Sequence, residues 1–554
     1  MNVLGGQSVG YDYVVIGAGS SGAVVAARLA ENQSVSVLLI EAGPVDKSLY
    51  IRMPAGLATL FRRRIFNWNY FTERQSALGG RRIWTPRGKV LGGSSSINGM
   101  AYIRGHALDY ERWAEEGAEG WSYAEVLPYF KKLEAHADRH DGYHGRDGAV
   151  GVTTGKCENP LFSSFIEAGL QAGYSYSSDF NGQQQEGFGR YDMNVDKGVR
   201  ASSALAYLRK SKENLHIQTG VLVDRIMFDG RRATGVSCIR GREKLLVHAQ
   251  CEVILCAGAI NSPKLLLASG IGPAEELKAL DIETLVDAPD VGRNLQDHLE
   301  FFIDYRCKKP ITAYGDMRLW NQARIGAEWL FKKTGKAVSN YCESGAFIRS
   351  DAGVPHPDIQ FHFYPGAFND LEDTAPSLHG YRVHVGTLRS QSRGTVKLKS
   401  LDPTVDPVID PNYMSRDEDW KEMRACVRLG REIMEQDALK DFRGEVIRPT
   451  PEIRSDSEID AFLRATATTA FHPSCTCRMG NDASAVVDPQ CRVRGVEGLR
   501  VADTSIMPSI VSGNLNAPAM MIGEKAADMI AGRQPLPPES RTYRLPEHWT
   551  EAQR

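Results

Sequence analysis

Residue types and spacings able to do chemistry lie at opposite ends of this sequence. Near the N-terminus, Gly17-Ala18-Gly19-Ser20-Ser21-Gly22 follows the apolar run Tyr13-Val14-Val15-Ile16. Gly17 permits a tight turn, Gly19 lets backbone approach a diphosphate, and Gly22 lets helix and strand pack closely. The helix that starts there supplies free N–H groups and the positive end of its dipole. Glu41, ending the next apolar run, suits both hydroxyls of an adenosine ribose and would repel a 2′-phosphate. Near the C-terminus, His472 precedes Pro473, and Asn514 sits in Ser512-Gly513-Asn514. An imidazole, with an unperturbed pKa of about 6.5, can take a hydroxyl proton near neutral pH. A carboxamide can steady the resulting oxygen without titrating.

A second loop narrows the ligand. In Arg87-Gly88-Lys89-Val90-Leu91-Gly92-Gly93-Ser94-Ser95-Ser96-Ile97-Asn98-Gly99, Gly92 and Gly93 offer bare backbone, Ser94 a hydroxyl and Asn98 an amide. These suit a diphosphate and the edge of an isoalloxazine. A lone NAD site would not need a second loop so close behind the first, so the pair points to FAD.

The elements that must position these groups can be read from periodicity. Residues 11–45 read as strand, glycine turn, helix (Ala23 to Ala30) and strand (Val35 to Ile40). Residues 107–150 read as helical and amphipathic (Asp109 to Trp113, then Tyr123 to Leu133), ending in a His/Gly/Asp-rich loop. A strand meander is expected over 215–256, with a helix from Ser262 to Ala268. Between 310 and 400, Asp358-Ile359-Gln360-Phe361-His362-Phe363 and Arg382-Val383-His384-Val385 read as antiparallel strands; His362 and His384 are taken as structural. A helix is expected over 415–437 and another from Met520 to Ile530, where Asn516 either caps the helix or touches the flavin. The expected fold class is mixed α/β. It combines a discontinuous Rossmann-like FAD-binding domain (10–155, 200–310 and 465–534) with a substrate domain on an antiparallel sheet covered by helices (156–199 and 311–464). A tail follows over 535–554.

Composition removes several classes. Across 554 residues, 42% are hydrophobic, 24% are charged and the formal net charge is −2. No basic stripe is interleaved with aromatics, so no nucleic-acid partner is expected. Arg62-Arg63-Arg64 reads as a solvated loop or as a peripheral membrane contact. No apolar run reaches the roughly 18 residues needed for a bilayer span, and Met1 to Gly10 carry neither a basic n-region nor an apolar h-region. Ten cysteines without a C-x-x-C read as reduced thiols. The expected location is the cytoplasm, with membrane association left open. Cys475 and Cys477 lack a second Cys/His pair at zinc spacing, so no metal is expected.

The two glycine loops, with Gly258-Ala259-Ile260-Asn261-Ser262-Pro263, His472-Pro473-Ser474-Cys475-Thr476-Cys477 and Ser512-Gly513-Asn514-Leu515-Asn516-Ala517-Pro518, resemble the glucose–methanol–choline (GMC) oxidoreductase family over about residues 11–533. Tyr102-Ile103-Arg104-Gly105-His106, Gln185-Glu186-Gly187-Phe188-Gly189 and Asn294-Leu295-Gln296-Asp297-His298 are most similar to its choline dehydrogenases. The resemblance implies FAD-dependent oxidation of a primary alcohol to an aldehyde. His472 would be the base and Asn514 its partner, with hydride passing to the flavin N5. It implies FAD contacts from Gly17, Gly19, Ser20, Ser21 and Gly22, from Glu41, Ala42 and Val223, and from Gly92, Gly93, Ser94, Asn98, Gly99 and Met100. Ala257, Asp503 and Asn514 would complete the set. Some relatives bind FAD covalently through a histidine where this chain has Ile97, so non-covalent FAD is expected.

For the substrate, the resemblance places the Glu343 carboxylate near a trimethylammonium group. Phe471 also faces substrate, but choline-oxidising relatives commonly carry Tyr there, and Tyr364-Pro365-Gly366-Ala367-Phe368 differs from their pattern. Choline or a similar amino alcohol and another aliphatic or aromatic alcohol both stay open. So do three activities: a dehydrogenase passing electrons to a quinone or carrier, an oxidase using O₂, and a non-redox lyase that keeps FAD. The oligomeric state is left open.

Overall fold

A computed structural model describes residues 9–210, 212–367 and 377–554. Met1 to Ser8 and Phe368 lie outside the described residues.

Two sheets organise the chain. The first grows from β1 (Val9–Ile16), α1 (Gly22–Leu29) and β2 (Val37–Glu41). Its strands are apolar because both faces are covered: the neighbours Val14 and Val15, and Leu38 and Leu39, are fully buried. Leu215–Thr219 extends the parallel part beyond β2, and Glu243–Leu255 pairs with β1 from the other side. Arg232–Arg240 and Leu222–Asp229 continue antiparallel, and the late strand Leu499–Val501 joins Glu243–Leu255 in parallel. N-terminal and C-terminal chain thus meet in one sheet, and the helix Asn516–Ile530 packs on α1.

The second sheet is antiparallel, in the order Arg443–Arg448, Leu299–Cys307, Gly380–Thr387, Ile359–Tyr364, Ser344–Ile348, Gly187–Arg190. Alternation divides its faces. Phe301, Ile303, Phe361, Phe363, Val383 and Val385 pack under the helices Pro160–Gln171, Asp417–Met434 and Asp456–Thr466. The expected boundary at residue 310 is corrected: Leu299–Cys307 already belongs to this second sheet. Thr468–Thr469, expected in the nucleotide domain, also pairs with its Leu299 and Glu300. The 535–554 tail runs without helix or strand along the surface, tied through the Glu539 N–H to Ala124 and the Arg544 N–H to Gln183.

Candidate active site

One cavity of about 920 Å³ runs between the two sheets, from Glu41 and Val223 past the glycine loops to His472 and Asn514. At its nucleotide end the backbone is as close as glycine allows. A Cβ on Gly22 would stand 1.9 Å from the Gly17 carbonyl oxygen, and one on Gly93 would stand 2.6 Å from the Gly19 Cα. Gly22 and Gly92 shape this corner and do not line the cavity; the Gly92 N–H donates to Ala18 O at 2.7 Å. Gly17, Gly19, Ser20, Ser21, Ala42, Gly93, Ser94 and Ala257 do line it.

Glu41 is buried, with its oxygens accepting the Ala18 N–H at 3.0 Å and the Gly43 N–H at 2.8 Å. Burial pushes its carboxyl up to about 7, against the pull of those N–H groups. Asp503, also raised by burial, accepts from the Gly258 N–H at 2.9 Å and the Ser505 N–H at 2.8 Å. Asn98 Oδ1 is held by the Met100 N–H at 3.1 Å and by the buried Arg200 at 2.8 Å. Asn516 caps nothing: its amide oxygen accepts the Ser20 hydroxyl at 2.8 Å and its nitrogen donates to Asn194 at 3.1 Å.

This cradle fits FAD. Gly99 and Gly258 line it with nothing within 4 Å of where a Cβ would stand. Bare backbone there leaves room for a flat ring and a diphosphate against free N–H groups. Ile97, at the cavity wall, carries no nucleophile.

Deeper in, a directional chain of hydrogen bonds orients His472. His298 Nε2 lies 3.0 Å from the Leu388 carbonyl, which can only accept, so Nε2 carries the hydrogen. Its Nδ1 is then the acceptor for His472 Nδ1–H, at 3.0 Å. At the other end, Gln360 donates to Asn514 Oδ1 at 3.1 Å. That turns the Asn514 amide nitrogen toward His472 Nε2, at 3.2 Å. Both ends assign the same tautomer, with the Nε2 lone pair of His472 facing the cavity. Burial, followed by His298 and His362, holds the His472 pKa well below 6.5. The His472 N–H is anchored on Asp297 at 2.7 Å, and Asp297 also accepts the Tyr413 and Thr469 hydroxyls, each at 2.6 Å.

The sheet's second face forms the opposite wall. Glu300, Phe302, His362, Tyr364, Arg382 and His384 point into the cavity. His362 and His384 are therefore not structural: His362 Nε2 lies 3.4 Å from Asn514 Oδ1, and His384 Nδ1 lies 3.0 Å from Glu300 Oε1. Phe471 lines the cavity at φ +69°, among Phe61 and Trp84 with ring centroids 5.6 and 6.3 Å away.

Glu343 is corrected. It lies outside the cavity lining, just before the strand Ser344–Ile348, and its carboxylate accepts the Cys157 N–H at 2.5 Å. Asn340, Tyr341 and Cys342, immediately before it, do reach the cavity. The carboxylate on the wall is Glu300. Glu300, His298, His362 and Gln360 were not among the expected site residues, although Asn294-Leu295-Gln296-Asp297-His298 stood out without a role.

Known proteins are similar to this chain in sequence and fold. Models of the GMC oxidoreductase family match residues 11–300 and 390–523. The chain belongs to that family. Oxygen-dependent choline dehydrogenase from Burkholderia multivorans is 53% identical over 533 residues, covering 95% of this chain and 94% of that protein. Its counterpart in Brucella anthropi is 50% identical, covering 95% and 96%. Among solved structures, pyridoxine 4-oxidase from Mesorbium loti superposes with a TM-score of 0.85 at 32% identity, covering 95% of this chain and 100% of that one. Formate oxidase from Aspergillus oryzae superposes with a TM-score of 0.89 at 26% identity, covering 95% and 99%. The protein is an FAD-dependent oxidoreductase acting on alcohols. No helix among the described residues is long and apolar enough to cross a membrane.

Proposed function

We propose that the chain oxidises choline or a close amino alcohol to its aldehyde, with His472 as base and Asn514 as its partner. The observation that carries the substrate assignment is a buried carboxylate, Glu300, on the wall of a cavity that Tyr341, Tyr364, Trp84 and Phe471 also line; the Phe302 ring beside it is covered by the Arg382 guanidinium, 4.1 Å from its centroid. A carboxylate with aromatic faces is a site for a quaternary ammonium, joining charge to cation–π attraction. The similarity of the whole chain to choline dehydrogenases supports the same substrate.

Bound FAD would supply the acceptor for hydride leaving the alcohol carbon. The protein handles the proton. His472 Nε2, which bears no hydrogen in this tautomer, takes the hydroxyl proton, while the Asn514 amide beside it, its oxygen 3.4 Å from His362 Nε2, steadies the developing oxygen charge. Glu41, Val223, the loops at Gly17–Gly22 and Gly93–Met100, Ala257 and Asp503 would hold the cofactor non-covalently, with Gly22 and Gly92 shaping the turns. Phe471 closes the substrate side.

Anaerobic mixing of the FAD-loaded protein with a panel of primary alcohols tests the reading. Choline should bleach the flavin at lower concentration than neutral alcohols of the same length; no bleaching by choline refutes it. The bleached protein, offered O₂ or a quinone, identifies the acceptor.

A further inference from the structure

The helix Leu319–Lys332 carries apolar side chains on two opposite faces. The inner face is accounted for: Ile325 and Trp329 are buried with Ala337 against Met53, Ala55 and Val338, and Trp329 Nε1 donates to Gly198 O at 2.7 Å. The outer face is not. Leu319 is 84% exposed, Trp320 88% and Phe331 83%, and Leu330 is exposed beside them. Helical spacing puts Trp320, Ala323, Ala327 and Phe331 on one stripe opposite the buried pair. Isolated exposed apolar residues need no explanation, but a contiguous stripe with two nearly bare aromatic rings marks an interaction surface.

The charge around the stripe identifies what it meets. Residues 318–336 hold five basic side chains (Arg318, Arg324, Lys332, Lys333, Lys336) against one acid, Glu328, in a chain of net charge −2. Lys336 is paired with Asp316, while Arg318, Arg324 and Lys332 are exposed. Arg62, Arg63 and Arg64, exposed at the end of the helix Leu57–Arg63, follow closely on Met53 and Ala55, which the inner face covers. We propose that this face docks peripherally on an anionic lipid bilayer, with Trp320 and Phe331 inserted at the headgroup–acyl boundary and the basic side chains on lipid phosphates. A second copy of the chain is the poorer partner, because a two-fold contact would set the same positive rim against itself. Docking also orients the active site. Gln322 and Ile325 of this helix, with Arg62 and Arg64, line the outer part of the cavity, so its mouth would open at the lipid surface.

The test uses the FAD-loaded protein with vesicles of phosphatidylglycerol and phosphatidylethanolamine, and with vesicles of phosphatidylcholine alone. Sedimentation should carry the protein down with anionic vesicles, less so as salt rises, and Trp320→Ser with Phe331→Ser should weaken binding about 10-fold or more. Turnover of a soluble alcohol with a soluble dye should stay within about twofold of wild type, since neither ring lines the cavity. Wild type that ignores anionic vesicles, or a double variant that binds them equally, overturns the proposal. So does a wild-type dimer that the double variant turns into monomer, because the face would then be a contact between copies.

Discussion

His298 should control the rate without touching substrate, because it fixes which nitrogen of His472 is the base. In His298→Leu the acceptor 3.0 Å from His472 Nδ1 is removed, leaving a buried N–H unpaired. A stranded buried donor costs about 1–3 kcal/mol. Moving the hydrogen to Nε2 escapes that cost, but it opposes an N–H to the Asn514 amide, which Gln360 holds in place. Either way the base-competent tautomer is depleted, and at about 1.4 kcal/mol per decade kcat/KM should fall roughly 10- to 100-fold. His298→Gln separates this from a packing defect, since its amide can accept from His472 with the oxygen and donate to Leu388 with the nitrogen. Stopped-flow flavin reduction, FAD content and melting temperature would be measured for both. The expected result is normal FAD content in both, a slow Leu variant, and a Gln variant recovered to within about fivefold of wild type, the scale of one neutral hydrogen bond. A Leu variant close to wild type, or a Gln variant as slow as Leu, would refute the tautomer argument.

His472→Ala should keep its flavin absorbance and lose about 10²–10⁴-fold in turnover; a loss of only a few fold removes it as the base. Because its pKa lies well below 6.5, its neutral form persists through neutral pH, so wild-type kcat/KM should stay level as pH falls to about 6.5 and decline only in more acid solution. A half-maximal point near 7 contradicts that burial. Glu300→Gln should raise KM for choline about 10- to 100-fold while leaving a neutral alcohol of equal length within a few fold. Equal losses for both alcohols would make Glu300 a structural residue through its bond to His384. Acid precipitation of the holoprotein should release flavin to the supernatant, as Ile97 offers no bond-forming atom; flavin in the pellet argues for a covalent link elsewhere.

What could be read from sequence divides by how local its cause is. The turn at Gly17, the close packing at Gly22 and the carboxylate ending β2 follow from a contiguous strand–turn–helix, so the geometry of this end of the cavity was legible. The pairing of His472 with Asn514 came from motif resemblance, and the structure adds the physical link, a hydrogen-bonded chain from Leu388 to Gln360 whose members lie far apart in sequence. No periodicity announces such a chain.

The cavity wall formed by the second sheet is a different case, because its strands carry the signal in their alternation. In Gln360-Phe361-His362-Phe363-Tyr364 and Arg382-Val383-His384-Val385, the apolar residues alternate onto the helix-covered face, which forces Gln360, His362, Arg382 and His384 to the other side. A sheet with one packed face and a run of histidine, arginine and amide on the other is either solvated or lines a site, and these positions are largely buried. The same phase argument distinguishes the two glutamates. Glu300 follows Leu299 in a strand whose Leu299, Phe301 and Ile303 face the core, so Glu300 and Phe302 must face the cavity. Glu343 precedes its strand, two residues after Tyr341 at φ +61°, where alternation does not yet hold, and its direction is set by the Cys157 N–H instead. Strand phase, not the presence of a carboxylate near aromatics, decides which glutamate can meet a cation.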